Sequence, residues 1–344
     1  MTVNLDAADV FALGPVAAVA AIRDALAGGL EPDSDVPRAV LPLAYGQGLL
    51  MPSEAGGWFG VKIATVSPGN PARGLQRINA TYLLHDSETL TCAAILDGIA
   101  LTALRTPAVS VAAGLDRLRA LAAGSAAGLR LVIFGTGPQG EGHARMIRAH
   151  VPVADVTVVA RSAGTSPLWA NRRLVTGDAE VASRVRSADI VVTATSACEP
   201  VVDGNLVQDS ALVLAVGSHE PSVRELDGAL MGRATVVVES RQVALREAGD
   251  VVLAVLEGLL QPASLVPMTD LLRSSCSPLA DRPMVVKTSG MAWEDLVIAV
   301  AAYSQGGRRV HHGVSRDLPA CSVAPPPPHD DSVTALAKAW ASHG

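Results

Sequence analysis

The segment VIFGTGPQGEGHARMI constrains this chain more than any other. It holds Gly135-Thr136-Gly137-Pro138-Gln139-Gly140, a GxGxxG pattern placed directly after a β-branched apolar run and at the start of a helical stretch. There the first glycine permits a tight turn, the second lets backbone approach a pyrophosphate, and the third allows close helix–strand packing. A pyrophosphate would rest on the helix N-terminus, where free N–H groups and the dipole favour an anion. The surrounding sequence agrees with that reading. LRLVIFG, VTVVAR, RLVTGD, DIVVTAT, ALVLAVG and TVVVES alternate with helical stretches. Near-continuous Val/Leu/Ile runs suit strands covered on both faces of a parallel sheet. The predicted fold class is α/β, with a Rossmann-type doubly wound parallel sheet beginning near residue 123.

The strand VTVVA ends at Ala160-Arg161-Ser162, where an NAD site usually places Asp or Glu against the ribose 2′-hydroxyl. Arg161 and Ser162 instead suit a 2′-phosphate, so NADP(H) is the preferred cofactor, with NAD(H) the alternative; a solvated Arg161 is the other reading. Thr195-Ser196 follows the fourth strand and Gly217-Ser218-His219 the fifth, and carboxyl ends of such strands face the cofactor crevice. His219 is either a reactive group on the nicotinamide side or a plain polar loop residue.

The first part of the chain reads differently. Residues 15–28 form a predicted helix with Pro near the start and Gly near the end. Strand-like runs follow at about 37–43, 59–66, 78–86 and 92–98, separated by Gly56-Gly57, Pro68-Gly69-Asn70-Pro71 and Asp97-Gly98, and then a helix at about 99–122. This is an α+β pattern. After PMVVKTSG a last helix spans about 292–304. The PACSVAPPPP run at 319–328 cannot continue a helix or sheet and reads as a polyproline linker leading to a short tail.

Composition removes several classes of function. A length of 344 residues predicts two domains. A formal charge of −6 and 3% aromatic residues argue against a partner that is nucleic acid. No uninterrupted apolar run reaches the roughly 18 residues of a membrane span, and MTVNLDAADVF lacks a secretory pattern, so no membrane partner and a cytoplasmic location are expected. Cys92, Cys198, Cys276 and Cys321 have no CxxC spacing; no metal site is expected, and each reads as a small buried hydrophobe. Of 27 basic residues only Lys62, Lys287 and Lys338 are lysines. Where Arg is the habit, a retained Lys marks a place for a compact ammonium or one able to lose its proton.

Two of the cations sit in apolar company. Lys62 lies in the strand VKIATV and Arg105 in the helical LDGIALTALRTPAVS. Such charges are costly unless paired. An anionic small molecule could supply the missing charge, with Arg105 gripping a carboxylate through two parallel hydrogen bonds and Lys62 sharing it or giving a proton as hydride arrives. The alternative for Arg105 is an ion pair with Asp97 or Asp86.

Taken together, VKIATVSPGNPARGL, TYLLHDSETL, ILDGIALTALRTPAVS, VIFGTGPQG, ADIVVTATS, VGSHEPSVRELD and KTSGMAWEDLVIA resemble the ornithine cyclodeaminase/mu-crystallin family, in order and spacing, from about residue 38 to 300. The resemblance implies a substrate-binding and dimerisation domain of residues 1–122 plus 291–318, a dinucleotide domain of residues 123–290, and a linker and tail at 319–344. It implies a homodimer pairing through the substrate domain. By position it assigns the substrate carboxylate to Arg38 and Arg105, and the reacting centre to Lys62. Two departures stand out. The cyclodeaminase loop GGDCPGKTEL has an Asp where this chain has His219 and a Lys where it has Val223, and Arg77 replaces a Thr beside the pocket. The implied activity is therefore NAD(P)H-dependent reduction of a cyclic imino acid of the Δ1-pyrroline- or Δ1-piperideine-2-carboxylate type, with Lys62, Arg105 and His219 at the chemistry. The alternatives are a cyclodeaminase-type lyase acting on L-ornithine, an amino-acid or N-substituted amino-acid dehydrogenase, and a non-catalytic NADP-binding regulator.

Overall fold

The computed structural model describes residues 2–273 and 281–305, so the 319–328 linker, the tail, Cys276, Cys321 and Lys338 lie outside the described residues. The chain opens with β1 (Val3–Leu5), α1 (Ala7–Phe11) and α2 (Gly14–Ala27). Pro15 at the start of α2 and Gly28 as its C-cap match the sequence expectation. Five strands follow: β2 (Ala39–Leu43), β3 (Gly46–Ala55), β4 (Trp58–Val66), β5 (Ile78–Asp86) and β6 (Cys92–Asp97). They form a six-stranded sheet in the order β1-β6-β5-β4-β3-β2, antiparallel except for the β1–β6 pair.

β3 is missing from the sequence expectation, and its composition explains why. Gly46, Gly48, Pro52 and Glu54 dilute its β signal, while register with β2 and β4 on its two sides overrides weak propensity. β2 begins opposite Leu50, so Pro52 lies beyond its reach, where β3 is an edge and a missing N–H is tolerated.

The two faces of this sheet differ. Cross-strand partners share a face, and Met51, Lys62, Tyr82 and Leu96 form one buried row. That row packs against α3 (Gly98–Ala123) and the last helix, α10 (Ala292–Gln305). The opposite face carries Leu50, Val61, Ile63, Leu83 and Ile95, with Ile63 41% and Ile95 37% exposed.

α3 begins where the Asp97 carboxylate accepts from the amides of Ile99 and Ala100, both at 2.9 Å. By length and composition it could cross a membrane, but 83% of its apolar window is buried, and it packs between the two sheets of the protein.

The second sheet uses β7 (Leu129–Phe134), β8 (Val153–Ala160), β9 (Arg172–Val175), β10 (Ile190–Thr193), β11 (Leu212–Ala215), β12 (Thr235–Val238), β13 (Val266–Pro267) and β14 (Met284–Lys287). The order is β13-β12-β14-β11-β10-β7-β8-β9, all parallel. Every residue of β10, β11 and β14 is buried, as expected for strands with helices on both faces. The covering helices are α4 (Pro138–Arg148), α5 (Ala179–Ser187), α6 (Gly228–Arg233), α7 (Arg241–Glu247), α8 (Gly249–Leu256) and α9 (Met268–Arg273). The predicted doubly wound α/β fold is the observed one.

One expectation about cysteine fails. Cys198 is exposed, on the loop after β10, and Cys92 is half-buried at the start of β6. A loop after a parallel strand runs over the surface, which leaves Cys198 in contact with solvent.

Candidate active site

The glycine motif occupies the turn between β7 and α4. Gly135 has φ +114°, and a Cβ built there would lie 2.3 Å from the Ala194 carbonyl oxygen. A Cβ at Gly140 would lie 2.4 Å from the Gly135 carbonyl oxygen, so both positions require glycine for packing. Gly137 is different. It is the N-cap of α4, has no side-chain cap, and the side where a Cβ would point is open. The first amides of α4 therefore face free space, the cradle a dinucleotide phosphate needs.

The other predicted cofactor contacts divide into two groups. Arg161 and Ser162 are exposed beyond the end of β8, and the Ser162 carbonyl accepts from Arg173. Thr195, Gly217 and Ser218 are bound into the fold. The Thr195 amide and hydroxyl both donate to Glu225 Oε1 at 2.7 Å, and the Gly217 amide donates to Glu225 Oε2 at 2.7 Å. The Ser218 hydroxyl donates to the Val223 carbonyl. Glu225 thus ties the loop after β10 to the loop after β11. Behind it Asp250 accepts from the amides of Glu225 and Leu226, and Lys287 donates to the carbonyls of Ala215, Ser218 and Thr288. Lys287 Nζ lies 3.4 Å from Asp250, both fully buried. Sequence reasoning missed Glu225 and Asp250; the rarity of lysine was the one signal pointing at this cluster.

The substrate side is a second cluster. Lys62 is 3% exposed, and its Nζ lies 2.7 Å from Asp295 Oδ2 and 3.4 Å from Thr102 Oγ1. Arg105, one turn further along α3 from Thr102, donates from Nη1 to Glu294 Oε2 at 2.7 Å, and its Nε lies 3.3 Å from Asp295 Oδ1. The expectation that an anionic ligand must supply all the missing charge is thereby corrected: α10 delivers two carboxylates from the far end of the chain. The Arg105 partners are also not Asp97, which caps α3, or Asp86, which closes the turn at Glu88 and Thr89. Burial lowers the Lys62 pKa from its ordinary value, with Asp295 opposing and the Arg105 charge adding to the effect. Burial also works against the Arg105 charge, but Asp295, Glu294 and Glu239 together hold that guanidinium firmly protonated.

Gly290 forms the roof of this cluster. Its φ is +80°, and a Cβ there would lie 2.7 Å from Arg105 Nη1. The Arg38 guanidinium donates to the Gly290 carbonyl at 3.0 Å and to Glu247 Oε2 at 2.6 Å, and so stands beside Arg105 across one glycine.

A single cleft of about 940 Å³ joins these groups to the glycine motif. Arg38, Lys62, Arg77, Arg105, Pro138, Gln139, His219 and Gly290 all line it. The structure therefore brings the four predicted substrate residues, the start of α4 and His219 to one space. His219 is exposed at its rim, and the Arg77 side chain has no hydrogen-bond or ion-pair partner among the described residues. Ser196, like Arg161 and Ser162, does not line that cleft. Among the described residues no cluster of three or more His, Cys, Asp or Glu could hold a metal ion.

Known proteins share this architecture. The ketimine reductase mu-crystallin of Mus musculus is 33% identical over 275 residues, covering 77% of this chain and 83% of the relative. The Delta(1)-pyrroline-2-carboxylate reductase of Bacillus cereus is 33% identical over 299 residues, covering 82% and 88%. The solved Delta(1)-pyrroline-2-carboxylate reductase of Thermococcus litoralis, in complex with NADH and L-proline, superposes with a TM-score of 0.75 at 21% identity, over 89% of this chain and 97% of that one. The sequence profile of the ornithine cyclodeaminase/mu-crystallin family matches residues 17–306. With its parallel sheet, its open glycine turn and its buried Lys62–Arg105 pair, this chain belongs to the ornithine cyclodeaminase/mu-crystallin family.

Proposed function

We propose that the protein is an NAD(P)H-dependent ketimine reductase that converts a cyclic imino acid, of the Δ1-pyrroline-2-carboxylate or Δ1-piperideine-2-carboxylate type, into the L-amino acid. The observation that carries the proposal is the meeting of Lys62, Arg105 and the start of α4 in one cleft. Similarity to two reductases at 33% identity supports it. Residues 123–290 serve the dinucleotide, and residues 1–122 with 291–318 serve the substrate; positions 306–318 lie outside the described residues.

The Gly135–Gly140 turn fits a dinucleotide because its glycines clear the approach and its amides are free. When bound, the reduced nicotinamide supplies the hydride. The chain's own residues do the rest. Arg105 and Arg38, flanking Gly290, hold the substrate carboxylate, and Arg77 adds positive charge to the same cleft. Fixed cations at the carboxylate polarise the neighbouring C=N bond toward nitrogen. Lys62 gives the proton to the imine nitrogen, so that C=N plus hydride and proton becomes CH–NH. Its depressed pKa eases that transfer, and Asp295 keeps the ammonium in place beforehand. His219, at the rim, relays protons through water to this end of the cleft.

Arg161 and Ser162, exposed at the end of β8 where a ribose lies in such folds, favour NADPH over NADH. The open apolar face around Leu50, Val61, Ile63, Leu83 and Ile95 is the surface on which a second copy of the chain would pair. Sedimentation as a monomer at micromolar concentration overturns the dimer.

The deciding experiment follows absorbance of NADPH with each of the two cyclic imines, alongside NADH and alongside ornithine with NAD and an ammonia assay. Imine-dependent loss of NADPH is the expected result. Ammonia from ornithine without it identifies a lyase instead.

A further inference from the structure

Glu225 is fully buried, yet it belongs to no helix or strand. It lies between β11 and α6, and its carboxyl group reaches under two loops. Oε1 accepts from the Thr195 amide and hydroxyl, each at 2.7 Å. Oε2 accepts from the Gly217 amide at 2.7 Å and the Thr193 hydroxyl at 3.0 Å. The Thr195 hydroxyl accepts from the Ala197 amide at 3.1 Å, so its own hydrogen is turned to Glu225. Four donors fill the acceptor sites of the two oxygens and leave no place for a carboxyl proton, so the group is an anion. Burial works against that charge, and the Thr195 bonds and Lys287 restrain the shift.

The loops close directly over the carboxylate. A Cβ at Gly217 would lie 2.6 Å from the Glu225 carboxyl carbon and 2.2 Å from the Thr195 carbonyl oxygen. The glycine turn reaches the same place, since a Cβ at Gly135 would lie 2.3 Å from the Ala194 carbonyl oxygen and 3.6 Å from the Thr195 methyl. In the sheet, β8 and β9 lie on one side of β7, and β10, β11 and β14 on the other. A dinucleotide crosses such a sheet with one nucleotide over each half. The end of β8 belongs to the adenosine half. The loops that Glu225 joins belong to the other half, where Val216 lines the cleft.

We propose that Glu225 is a positioning residue for the nicotinamide half of the dinucleotide, holding the loops after β10 and β11 at one separation through a single carboxylate. Only a carboxylate serves both loops. An amide side chain would offer an acceptor to one and N–H groups to the other, where backbone N–H already points, and would release it. Asp250, which accepts from the amides of Glu225 and Leu226, and Lys287, which donates to the carbonyls of Ala215 and Ser218, fix the brace from behind. This role rests on the dinucleotide reading of the Gly135–Gly140 turn.

The test measures binding and needs no turnover. NADPH and 2′-phospho-ADP-ribose, which lacks the nicotinamide, are titrated calorimetrically into the full chain; NADH and ADP-ribose form the equivalent pair. The wild type is expected to bind the whole nucleotide more tightly than the fragment. In Glu225→Gln, affinity for the whole nucleotide falls about tenfold or more, the scale of one hydrogen bond to a charged group, while fragment affinity stays within about twofold. Thr193→Val removes one donor from a fully buried strand position and should act in the same direction by about threefold. It decides the matter if Glu225→Gln does not fold. Equal losses for nucleotide and fragment, unchanged nucleotide affinity in the variants, or a wild type that binds the fragment as tightly as the nucleotide overturns the proposal. A wild type that binds neither pair overturns the dinucleotide reading itself.

Discussion

The two ends of the cleft are built in opposite ways. At the dinucleotide end, the turn is made by six consecutive residues, Gly135 to Gly140, and its geometry follows from glycine conformation and the start of α4. At the substrate end, β4, α3 and α10 each contribute charge, and the two ion-paired partners of the cluster lie 233 and 189 residues apart along the chain. The first is a local solution in which a missing side chain makes room. The second is a non-local one in which charges are held by opposite charges. A local site should fail through sterics and a non-local one through unbalanced charge.

The largest expected effect tests the second half of that contrast. Lys62→Met removes the proposed proton donor and leaves Asp295 buried beside Arg105 alone. Turnover should fall by a factor of about 10² to 10⁴, while fluorescence titration finds NADPH affinity within about twofold. Near-normal turnover would remove Lys62 from the chemistry. Gly135→Val tests the first half. Its Cβ collides with the Ala194 carbonyl in a backbone region closed to valine, and strain of about 1–3 kcal/mol should weaken NADPH binding about tenfold or more. Unchanged NADPH binding would mean the turn does not carry the dinucleotide.

A third expectation concerns pH and the helix behind the turn. His143 in α4 is fully buried, donates from Nδ1 to the Gln139 carbonyl, and has its pKa lowered by burial from 6.5 to about 4. The unfolded chain binds a proton in that window and the folded chain does not. The stability associated with neutral His143 is therefore complete above pH 6.5 and is lost as pH falls toward 4, about 3 kcal/mol in all. Denaturant midpoints across this window should fall for the wild type and fall less for His143→Gln; equal slopes would show that His143 titrates normally. The smallest effect belongs to the exposed Arg161. Arg161→Ala should reduce the preference for NADPH over NADH by about tenfold, read as the ratio of kcat/KM values. An unchanged ratio would leave Arg161 a solvated loop residue.

The same contrast explains what could be read in the sequence. The parallel sheet was legible because each buried strand carries its own apolar run, and the dinucleotide turn because its glycines are contiguous. Lys62, Arg105 and Arg38 were legible as cations in apolar surroundings or as positions in a family pattern. Their partners were not. Glu294 and Asp295 lie on one helix among residues that look like any amphipathic terminus, and only the packing of α10 onto β3, β4 and α3 turns them into counter-ions. Glu225 and Asp250 escaped notice for the same reason, since their work is to accept backbone amides from distant loops. β3 was lost because Gly46, Gly48 and Pro52 speak against a strand that its neighbours impose.

α10 has a consequence for how the protein is made. Lys62 and Arg105 leave the ribosome early, and the carboxylates that neutralise them follow only after the whole eight-stranded sheet has been synthesised. Until Asp295 emerges, the six-stranded sheet cannot close its buried face without enclosing two bare cations. The growing chain can thus complete its dinucleotide turn before the substrate pocket, which waits until α10 has emerged.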